Sequence, residues 1–225
     1  MEYLTPLLPN TVYHIYNHAN GNENLFRRED NYRYFLKKYA EYIYPIAETF
    51  AYCLMPNHFH FMVRIRGEEE LVEFFKTKKI NQYLRGLRNL GGIGKKEEKE
   101  SGLRNLGIVE KLLSQQFSNF FNSYTKAYNK KYNRRGSLFN HRFKRKVVEN
   151  DSYFIQLVVY IHLNPVKHGF CSHLLDWEYS SIHAYYSEAV SLINKSLLDD
   201  VFGSRDAMVH FHQKYPVKEQ LFEFN

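Results

Sequence analysis

Apolar and aromatic residues recur along the chain with two different periods, which predict alternating strands and helices. Stretches rich in β-branched and aromatic residues, bounded by turn-forming residues, predict strands over 11–17, 49–55, 58–66 and 138–148. Apolar positions spaced three and four residues apart predict helices over 29–46, 68–84, 112–132 and 153–163. The last of these helices has three candidate N-capping residues at 150–152 and is predicted to end at Asn164-Pro165.

The order of these elements, β-α-β-β-α-β-α, predicts an α+β fold with helices packed on a ferredoxin-like antiparallel sheet. A low-complexity insert at about 86–108 interrupts the pattern, because it contains Gly-Leu-Arg-Asn-Leu-Gly twice around a charged run. Two short copies are too few for a repeat architecture, so we expect a mobile surface loop. The division expected is one domain over 1–186 and a mostly helical C-terminal extension over 187–225.

Composition narrows the class of protein. The 225 residues are 44% hydrophobic and 24% charged, which is ordinary for a globular protein. No apolar run approaches the ~18 residues that a membrane span needs, and the N-terminus does not resemble a signal peptide. Two cysteines, Cys53 and Cys171, cannot build a disulfide framework or a four-thiolate zinc site. We therefore expect a soluble, cytoplasmic protein.

The net charge of +7 is concentrated in one segment. Residues 111–148, here called the basic segment, contain ten Lys and Arg residues and no Asp or Glu. The remaining 21 basic residues are outnumbered by the 24 acidic ones, so the whole excess lies in this segment. Such segregation favours a site for a polyanion. The alternative is a solvated basic face of a helix.

Two histidines on one predicted strand are candidate metal ligands. Side chains alternate along a strand, so His58 and His60 share one face while Phe59 and Phe61 point to the core. Two imidazoles side by side suit a divalent metal, although surface or core histidines would show the same spacing. The similar pair at 210 and 212 lies in a helical pattern, where residues two apart point in different directions.

The helix after the basic segment offers further candidates. Tyr160 and Asn164 are four residues apart and so share one helix face. The Asn164 carboxamide oxygen could complete a metal site, and Tyr160 could place its phenol beside the same ion. A phenol with a pKa near 10 needs help to act as a nucleophile at neutral pH. Tyr153, two turns earlier, is the nearest alternative.

Five segments together resemble a known family. The segment 52–63, Tyr-Cys-Leu-Met-Pro-Asn-His-Phe-His-Phe-Met-Val, is similar to the His-hydrophobic-His motif of the one-tyrosine HUH single-strand transposases, in the REP-associated tyrosine transposase branch. The segment 160–169, Tyr-Ile-His-Leu-Asn-Pro-Val-Lys-His-Gly, is similar to the tyrosine helix of that branch. Shorter agreements follow in the same order at 13–15, 136–143 and 176–181.

The resemblance implies a function beyond what spacing indicates. It implies an HUH endonuclease core that acts on single-stranded DNA beside a hairpin. His58 and His60 would bind Mg²⁺ or Mn²⁺, with Asn164 as the third protein ligand. Tyr160 would attack a backbone phosphate, giving a 5′-phosphotyrosine link and a free 3′-OH, and reversal by another 3′-OH would rejoin the strands. The insert at 86–108 departs from the family pattern and touches none of these residues.

Contacts with DNA are expected from the basic segment and from the first strand. Lysine and arginine side chains there would give salt-dependent affinity for the DNA backbone with little sequence preference. Polar residues of the first strand, next to the histidine strand, are further candidates. The predicted DNA-binding residues are His14, Asn17, His18, Lys130, Lys131, Arg134, Arg135, Arg142, Lys144, Arg145 and Lys146.

Two other functions stay open at this point. One is a binding protein, derived from such a transposase, that holds hairpin DNA or RNA without cutting it. That function would be indicated by the loss of Tyr160 or of a motif histidine, but all of these residues are present. The other is a metal phosphodiesterase in which water attacks, so that Tyr160→Phe would still turn over. No membrane partner is expected, and a monomer and a homodimer are equally compatible with the pattern.

Overall fold

The computed structural model describes residues 5–77, 106–140, 142–187 and 189–214. Its strands are β1 (Val12–His18), β2 (Ala47–Leu54), β3 (His58–Ile65) and β4 (Lys144–Val147). Its helices are α1 (Glu29–Tyr42), α2 (Glu68–Thr77), α3 (Leu106–Lys131), α4 (Asp151–Lys167), α5 (Ile182–Tyr185), α6 (Ser196–Phe202) and α7 (Arg205–Lys214). A 3₁₀ turn, Leu174–Asp176, follows α4.

The four strands form one antiparallel sheet in the order β2-β3-β1-β4. In this order β2 and β3 are neighbours, as a hairpin requires, while β1 lies between β3 and β4. The sheet and its helices make an α+β fold, and the predicted ferredoxin-like arrangement is confirmed. The sheet positions the site because it brings the first strand next to the histidine strand.

The two faces of the sheet carry different cores. Phe59 and Phe61 of β3 pack with aromatic residues of α1 and α3, including Phe35 and Phe121. Met62 points the other way and joins a second core built by α4. The predicted alternation along β3 is therefore confirmed, and the histidines share the face that α4 covers.

The predicted strand over 138–148 is much shorter in the structure. Only Lys144–Val147 pairs as a strand, and Phe139 makes an isolated bridge to Ala19. Arg142 adopts a left-handed backbone conformation, with φ of 57°, which an extended strand cannot contain. The chain therefore turns before β4 begins.

Helix boundaries also differ from the predictions. Helix α1 ends at Tyr42, four residues before the predicted end. Helix α3 begins at Leu106, so the last residues of the predicted insert are helical. The rest of the insert, 86–105, lies outside the described residues. So do the predicted end of α2 beyond Thr77 and the chain after Lys214.

Helix α4 is longer than predicted at its C-terminal end. Asn150 caps its start, because the Asn150 side-chain oxygen accepts a hydrogen bond from Tyr153 N at 2.8 Å. The predicted stop at Asn164-Pro165 is wrong, since the helix continues through Pro165 to Lys167. Gly169 lies just after the helix, and its φ of 71° allows Gly169 N and Phe170 N to donate to Val166 O and Pro165 O.

The C-terminal segment is mostly helical over its described part, as predicted, with α6 and α7 packed against α4. Two short contacts cover the outer edge of β2, through bridges from Ser180 to Cys53 and from Ile193 to Thr49. Among the helices that the structure describes, none is long and apolar enough to cross a membrane.

Candidate active site

The four predicted site residues lie together between β3 and α4. His58 and His60 project from β3 toward α4, and Tyr160 and Asn164 project back from one face of that helix. The ring centroids of His58 and His60 are 5.3 Å apart, and those of His60 and Tyr160 are also 5.3 Å apart. All four side chains are buried. His58 and Asn164 meet across 106 residues of sequence.

His58 faces an amide oxygen at each ring nitrogen. Its Nδ1 lies 2.8 Å from Asn57 Oδ1, and its Nε2 lies 3.0 Å from Asn164 Oδ1. A neutral imidazole has a single N–H and can donate to only one of these oxygens. When Asn57 receives that proton, the Nε2 lone pair and the Asn164 oxygen face each other, and a cation between them would relieve the repulsion.

His60 also keeps one nitrogen available. Its Nδ1 lies 2.9 Å from His14 Nε2, whereas its Nε2 is buried and has no hydrogen-bond partner among the described residues. The described residues contain no cluster of three or more His, Cys, Asp or Glu side chains arranged for a metal. A metal here would therefore need Asn164 beside the two histidines. A carboxamide oxygen suits Mg²⁺ or Mn²⁺ and imidazole nitrogens suit transition metals, so this mixed donor set is compatible with a divalent cation.

Burial keeps these imidazoles neutral. It lowers the pKa of His58 to about 3 and the pKa of His14 to about 3. The pKa of His60 is well below its ordinary value, again because of burial and, secondarily, the neighbouring imidazole of His14. Neutral imidazoles have the lone pairs that metal binding requires, and these histidines keep them at physiological pH.

Tyr160 is enclosed and is not acidic in this state. The side chain is 0% exposed, and burial raises its pKa to about 12 while a hydrogen bond with Asn164 opposes that rise. Lys167, the last residue of α4, places its Nζ 5.2 Å from the centroid of the Tyr160 ring. The phenol therefore has a cation and a carboxamide beside it but needs an opening for any substrate.

Tyr153 does not join the histidines. It lies in the first turn of α4 and lines a separate cavity, together with Lys146 and Asn150. This position separates the two tyrosines that spacing alone left as alternatives. Of the two, Tyr160 is the one beside His60.

Two exposed histidines flank the ring of His58. The ring of His18 stacks on His58 at a centroid distance of 4.6 Å, and His168 meets the same ring edge-on at 5.0 Å. His168 was not among the residues expected at the site. Helical spacing could have found it, because residues 160 and 164 of α4 and residue 168, directly after its end, are each four apart.

Comparison with known proteins was made for the sequence and for the fold. No protein-family model matches the chain. The sequence is 25% identical over 144 residues to a Haemophilus influenzae protein described as "Putative REP-associated tyrosine transposase", which covers 62% of this chain and 61% of that protein. The fold matches a solved structure of a REP-associated tyrosine transposase bound to a REP hairpin, with a TM-score of 0.54, 16% identity, and coverage of 87% of this chain and 95% of the other.

The resemblance to the REP-associated tyrosine transposases is confirmed. The chain spans about three fifths of the length of the curated relative. The two comparisons are independent in kind, since one rests on residues and the other on the arrangement of helices and strands.

In this transposase-like fold, β4 divides the predicted DNA-binding residues between the two sheet faces. Lys144 and Lys146 pair across the sheet with Tyr16 and His14, so they lie on the face of the histidines. Lys144 Nζ lies 5.7 Å from the centroid of the Tyr16 ring. Lys144 therefore lies beside Tyr16, and Lys146 lies next to His14 on the same face, where it also lines the cavity of Tyr153.

Arg145 lies on the opposite face and is not brought to the site. Its side chain is buried against α3, where it donates to Ser114 Oγ at 2.9 Å and lies 3.8 Å from Glu110. Alternation along β4 is the reason, because neighbours on a strand point to opposite sides. The structure gives Arg145 a role in attaching α3 to the sheet.

The other basic candidates lie near the C-terminal end of α3. Lys131 pairs with Asp30, and Arg134 forms a two-pronged ion pair with Glu23 at 2.6 Å for each contact. The first pair connects the end of α3 to the first turn of α1, and the second connects the residues after α3 to the segment before α1. The remaining three, Lys130, Arg135 and Arg142, are exposed.

The three candidates on β1 have different surroundings. His14 is 0% exposed and is hydrogen-bonded to His60, so the structure places it beneath the site instead of on a DNA-facing surface. Asn17 is buried, with its amide donating to Asn140 O at 3.3 Å and its oxygen accepting from His18 N at 2.9 Å. Only His18 is exposed.

Proposed function

We propose that this protein is a metal-dependent single-stranded DNA transposase or endonuclease that cleaves and rejoins DNA beside hairpins through Tyr160. The observation that carries the proposal is the assembly of Tyr160, His58, His60 and Asn164 at one buried point of a single chain. The similarity to REP-associated tyrosine transposases supports it.

The reaction that suits these residues is a transesterification. His58, His60 and Asn164 would hold Mg²⁺ or Mn²⁺, which would supply Lewis-acid polarisation of the scissile phosphate. The Tyr160 oxygen forms a bond to phosphorus as the bond to the 3′-oxygen breaks. Overall, the phenolic proton is transferred to that 3′-oxygen, which leaves as a 3′-OH. Each step exchanges one phosphoester for another, so rejoining needs no external energy source.

The substrate we propose is single-stranded DNA next to a hairpin. The similar solved structure holds a REP hairpin, and here Lys144 and Lys146 border the histidine face. Their charges would attract the DNA backbone without much sequence preference. His18 and His168, exposed beside His58, are next to the path that a phosphate would take to the site.

One chain supplies every residue of the proposed site. Tyr160 approaches His60 of its own chain to a centroid distance of 5.3 Å, so a second subunit is not needed to complete it. We therefore propose that a monomer is sufficient for cleavage. Wild type mixed with an excess of Tyr160→Phe would then lose no activity per wild-type chain, whereas exchange of tyrosine helices between subunits would lower it.

The proposal is tested by the covalent adduct. A labelled oligonucleotide with a hairpin and a single-stranded flank is incubated with protein and Mn²⁺, and the products are separated on a denaturing gel. We expect an adduct from wild type and from Tyr153→Phe, and none from Tyr160→Phe or His58→Ala. Cleavage that survives in Tyr160→Phe without an adduct would contradict the proposal and indicate a metal phosphodiesterase.

A binding function without cleavage is the second candidate, and the enclosure of Tyr160 favours it. The phenol is 0% exposed and its pKa is raised to about 12. Both the burial and the raised pKa oppose its action as a nucleophile. In that case the hairpin would be bound with equal affinity by wild type and by Tyr160→Phe, and neither protein would form an adduct at any metal concentration.

A further inference from the structure

His14 lies on the histidine face of the sheet and contacts His60, one of the candidate metal ligands. It is on β1, with its ring stacked on Tyr16 at 4.6 Å and on His60 at 5.1 Å between centroids. Its Nε2 is 2.9 Å from His60 Nδ1, and both side chains are 0% exposed. A histidine in this position contacts a candidate ligand without facing the space between His58 and Asn164.

The hydrogen bond between the two imidazoles determines which His60 nitrogen has a lone pair. A neutral imidazole carries one proton, so His60 can offer Nε2 to a cation only when its proton is on Nδ1. That proton needs an acceptor, and His14 Nε2 is at the right distance. In the opposite arrangement His14 donates and His60 carries its proton on Nε2. Each arrangement leaves one buried N–H without an acceptor among the described residues, on His14 Nδ1 or on His60 Nε2, and only the first gives His60 a lone pair for a cation.

An imidazole at position 14 costs more stability than an apolar side chain of similar size would. Burying a polar nitrogen without a partner destabilises the folded state, and His14 Nδ1 is buried without a hydrogen-bond partner among the described residues. An apolar side chain would avoid that cost and still pack against Tyr16. The Nε2 contact to His60 is the feature that only a hydrogen-bonding residue could provide.

The two ligand histidines are held in the same way. Asn57 Oδ1 meets His58 Nδ1 at 2.8 Å, as His14 Nε2 meets His60 Nδ1 at 2.9 Å. Each imidazole thus has a partner at Nδ1 and directs Nε2 inward. Partners of this kind fix the proton position and the ring orientation of metal-bound histidines in proteins generally.

We propose that His14 is a positioning residue that holds His60 with its Nε2 lone pair directed at the metal. The inference rests on the proposed function, since it assumes a divalent cation at His58, His60 and Asn164. It replaces the predicted DNA contact with a role inside the site. The loss of such a partner lowers metal affinity about 10–100-fold in other proteins.

The test compares three variants with wild type by metal binding alone. His14→Leu removes the acceptor, and His14→Gln restores one, because the glutamine amide reaches about as far as Nε2. His212→Leu is the matched control: it removes another buried imidazole bonded to a histidine, His162, at the same 2.9 Å. Mn²⁺ affinity is measured by electron paramagnetic resonance, and thermal melting measures stability.

We expect His14→Leu to lower Mn²⁺ affinity about 10–100-fold, with His14→Gln within a few-fold of wild type. His212→Leu should lose stability yet keep its affinity. ¹⁵N NMR of labelled imidazoles with Mg²⁺ adds a direct signature: His60 should be protonated at Nδ1 in wild type and in His14→Gln. In His14→Leu that single tautomer should be lost.

Three results would overturn the inference. Equal affinity of His14→Leu and wild type would remove the positioning role. Equal losses in His14→Leu and His212→Leu would attribute the effect to stability. Absence of Mn²⁺ binding by wild type would overturn the inference together with the proposed function, which the first two results leave intact.

Discussion

At the scale of single residues, the candidate site depends on which nitrogen and oxygen atoms have a lone pair available for a cation. Asn57 and His14 each occupy the Nδ1 side of a histidine, and Asn164 turns an oxygen toward His58. None of these groups is charged at neutral pH, so a cation would be held by oriented dipoles and lone pairs. We therefore expect substitutions of Asn164 to change the affinity for the metal.

We expect Asn164→Asp to bind Mn²⁺ at least as tightly as wild type and to form the adduct more slowly. A carboxylate is a stronger ligand for hard cations than a carboxamide, but its negative charge beside Tyr160 raises the phenol pKa and repels a phosphate. Asn164→Ala should lose affinity for the metal. Calorimetric Mn²⁺ titration and the adduct gel separate the two effects; tighter binding by Asn164→Ala would exclude residue 164 as a ligand.

At the scale of elements, α4 is the part that assembles the site. It carries Tyr160 and Asn164 on one face and ends with Lys167 beside the Tyr160 ring. The position of that end depends on Gly169, because Gly169 N and Phe170 N satisfy the last helical carbonyl groups only when residue 169 is left-handed.

Gly169→Ala should destabilise the protein by about 1–2 kcal/mol, the cost of a left-handed backbone for a residue with a Cβ. Space is not the reason, since a Cβ at 169 would meet no heavy atom within 4 Å. Gly169→Asn is the matched control and should lose less, because asparagine tolerates this conformation. The measurement is urea unfolding of both variants and wild type. Equal losses would contradict the backbone explanation.

At the scale of the whole molecule, the sheet separates two basic surfaces. Lys144 and Lys146 lie on the histidine face, whereas Lys111 and Lys126 are exposed on α3, which packs on the opposite face. All four belong to the basic segment. Sequence position alone does not separate these two pairs of lysines, but the sheet does, and we expect DNA to contact the pair on the histidine face.

Charge reversal tests this division. The double variant Lys144→Glu with Lys146→Glu should weaken hairpin DNA binding and reduce the slope of log affinity against log salt by about two, one for each lysine removed. The pair Lys111→Glu with Lys126→Glu makes the same charge change on the other face and should leave the slope close to wild type. Fluorescence anisotropy across salt concentrations measures both. Similar slopes for both double variants would indicate general attraction to the charge.

Buried histidines should make the protein sensitive to acid. Burial lowers the pKa of His212 to about 4 and the pKa of His162 well below its ordinary value. Between pH 6.5 and 4 the unfolded chain binds protons that the folded chain does not. As the pH decreases through this range, the free energy of unfolding therefore decreases by up to about 1.4 kcal/mol per pH unit for each such histidine. Above pH 6.5 this effect vanishes.

The comparison of wild type with His212→Leu isolates one of these groups. Urea unfolding without metal at pH 7.5 and 5.5 should show a smaller loss of stability for the variant, because it has one titrating imidazole fewer. The order of stability at pH 7.5 should favour wild type, in which Ser181 Oγ, His162 and His212 form a continuous hydrogen-bonded chain ending at Met208 O. An identical pH response of the two proteins would exclude His212 as a source of acid sensitivity.

Sequence by itself determined the local half of the architecture. Strand alternation predicted that His58 and His60 share a face, and helical spacing predicted the same of Tyr160 and Asn164. These inferences hold because both periods are set by backbone geometry within one element. The predicted end of α4 and the predicted length of β4 are wrong, because periodicity does not mark where the backbone becomes left-handed, as it does at Gly169 and Arg142.

Only the tertiary structure decided what lies across the sheet. The register of β1 against β3 and β4 brings His14 under His60 and places Lys144 and Lys146 on the histidine face, with Arg145 turned away. These neighbours are far apart in the chain, and their pairing is set by the joint packing of two cores on one sheet. Periodicity within a segment carries no information about that pairing, so the supporting residues of the site emerged only from the fold.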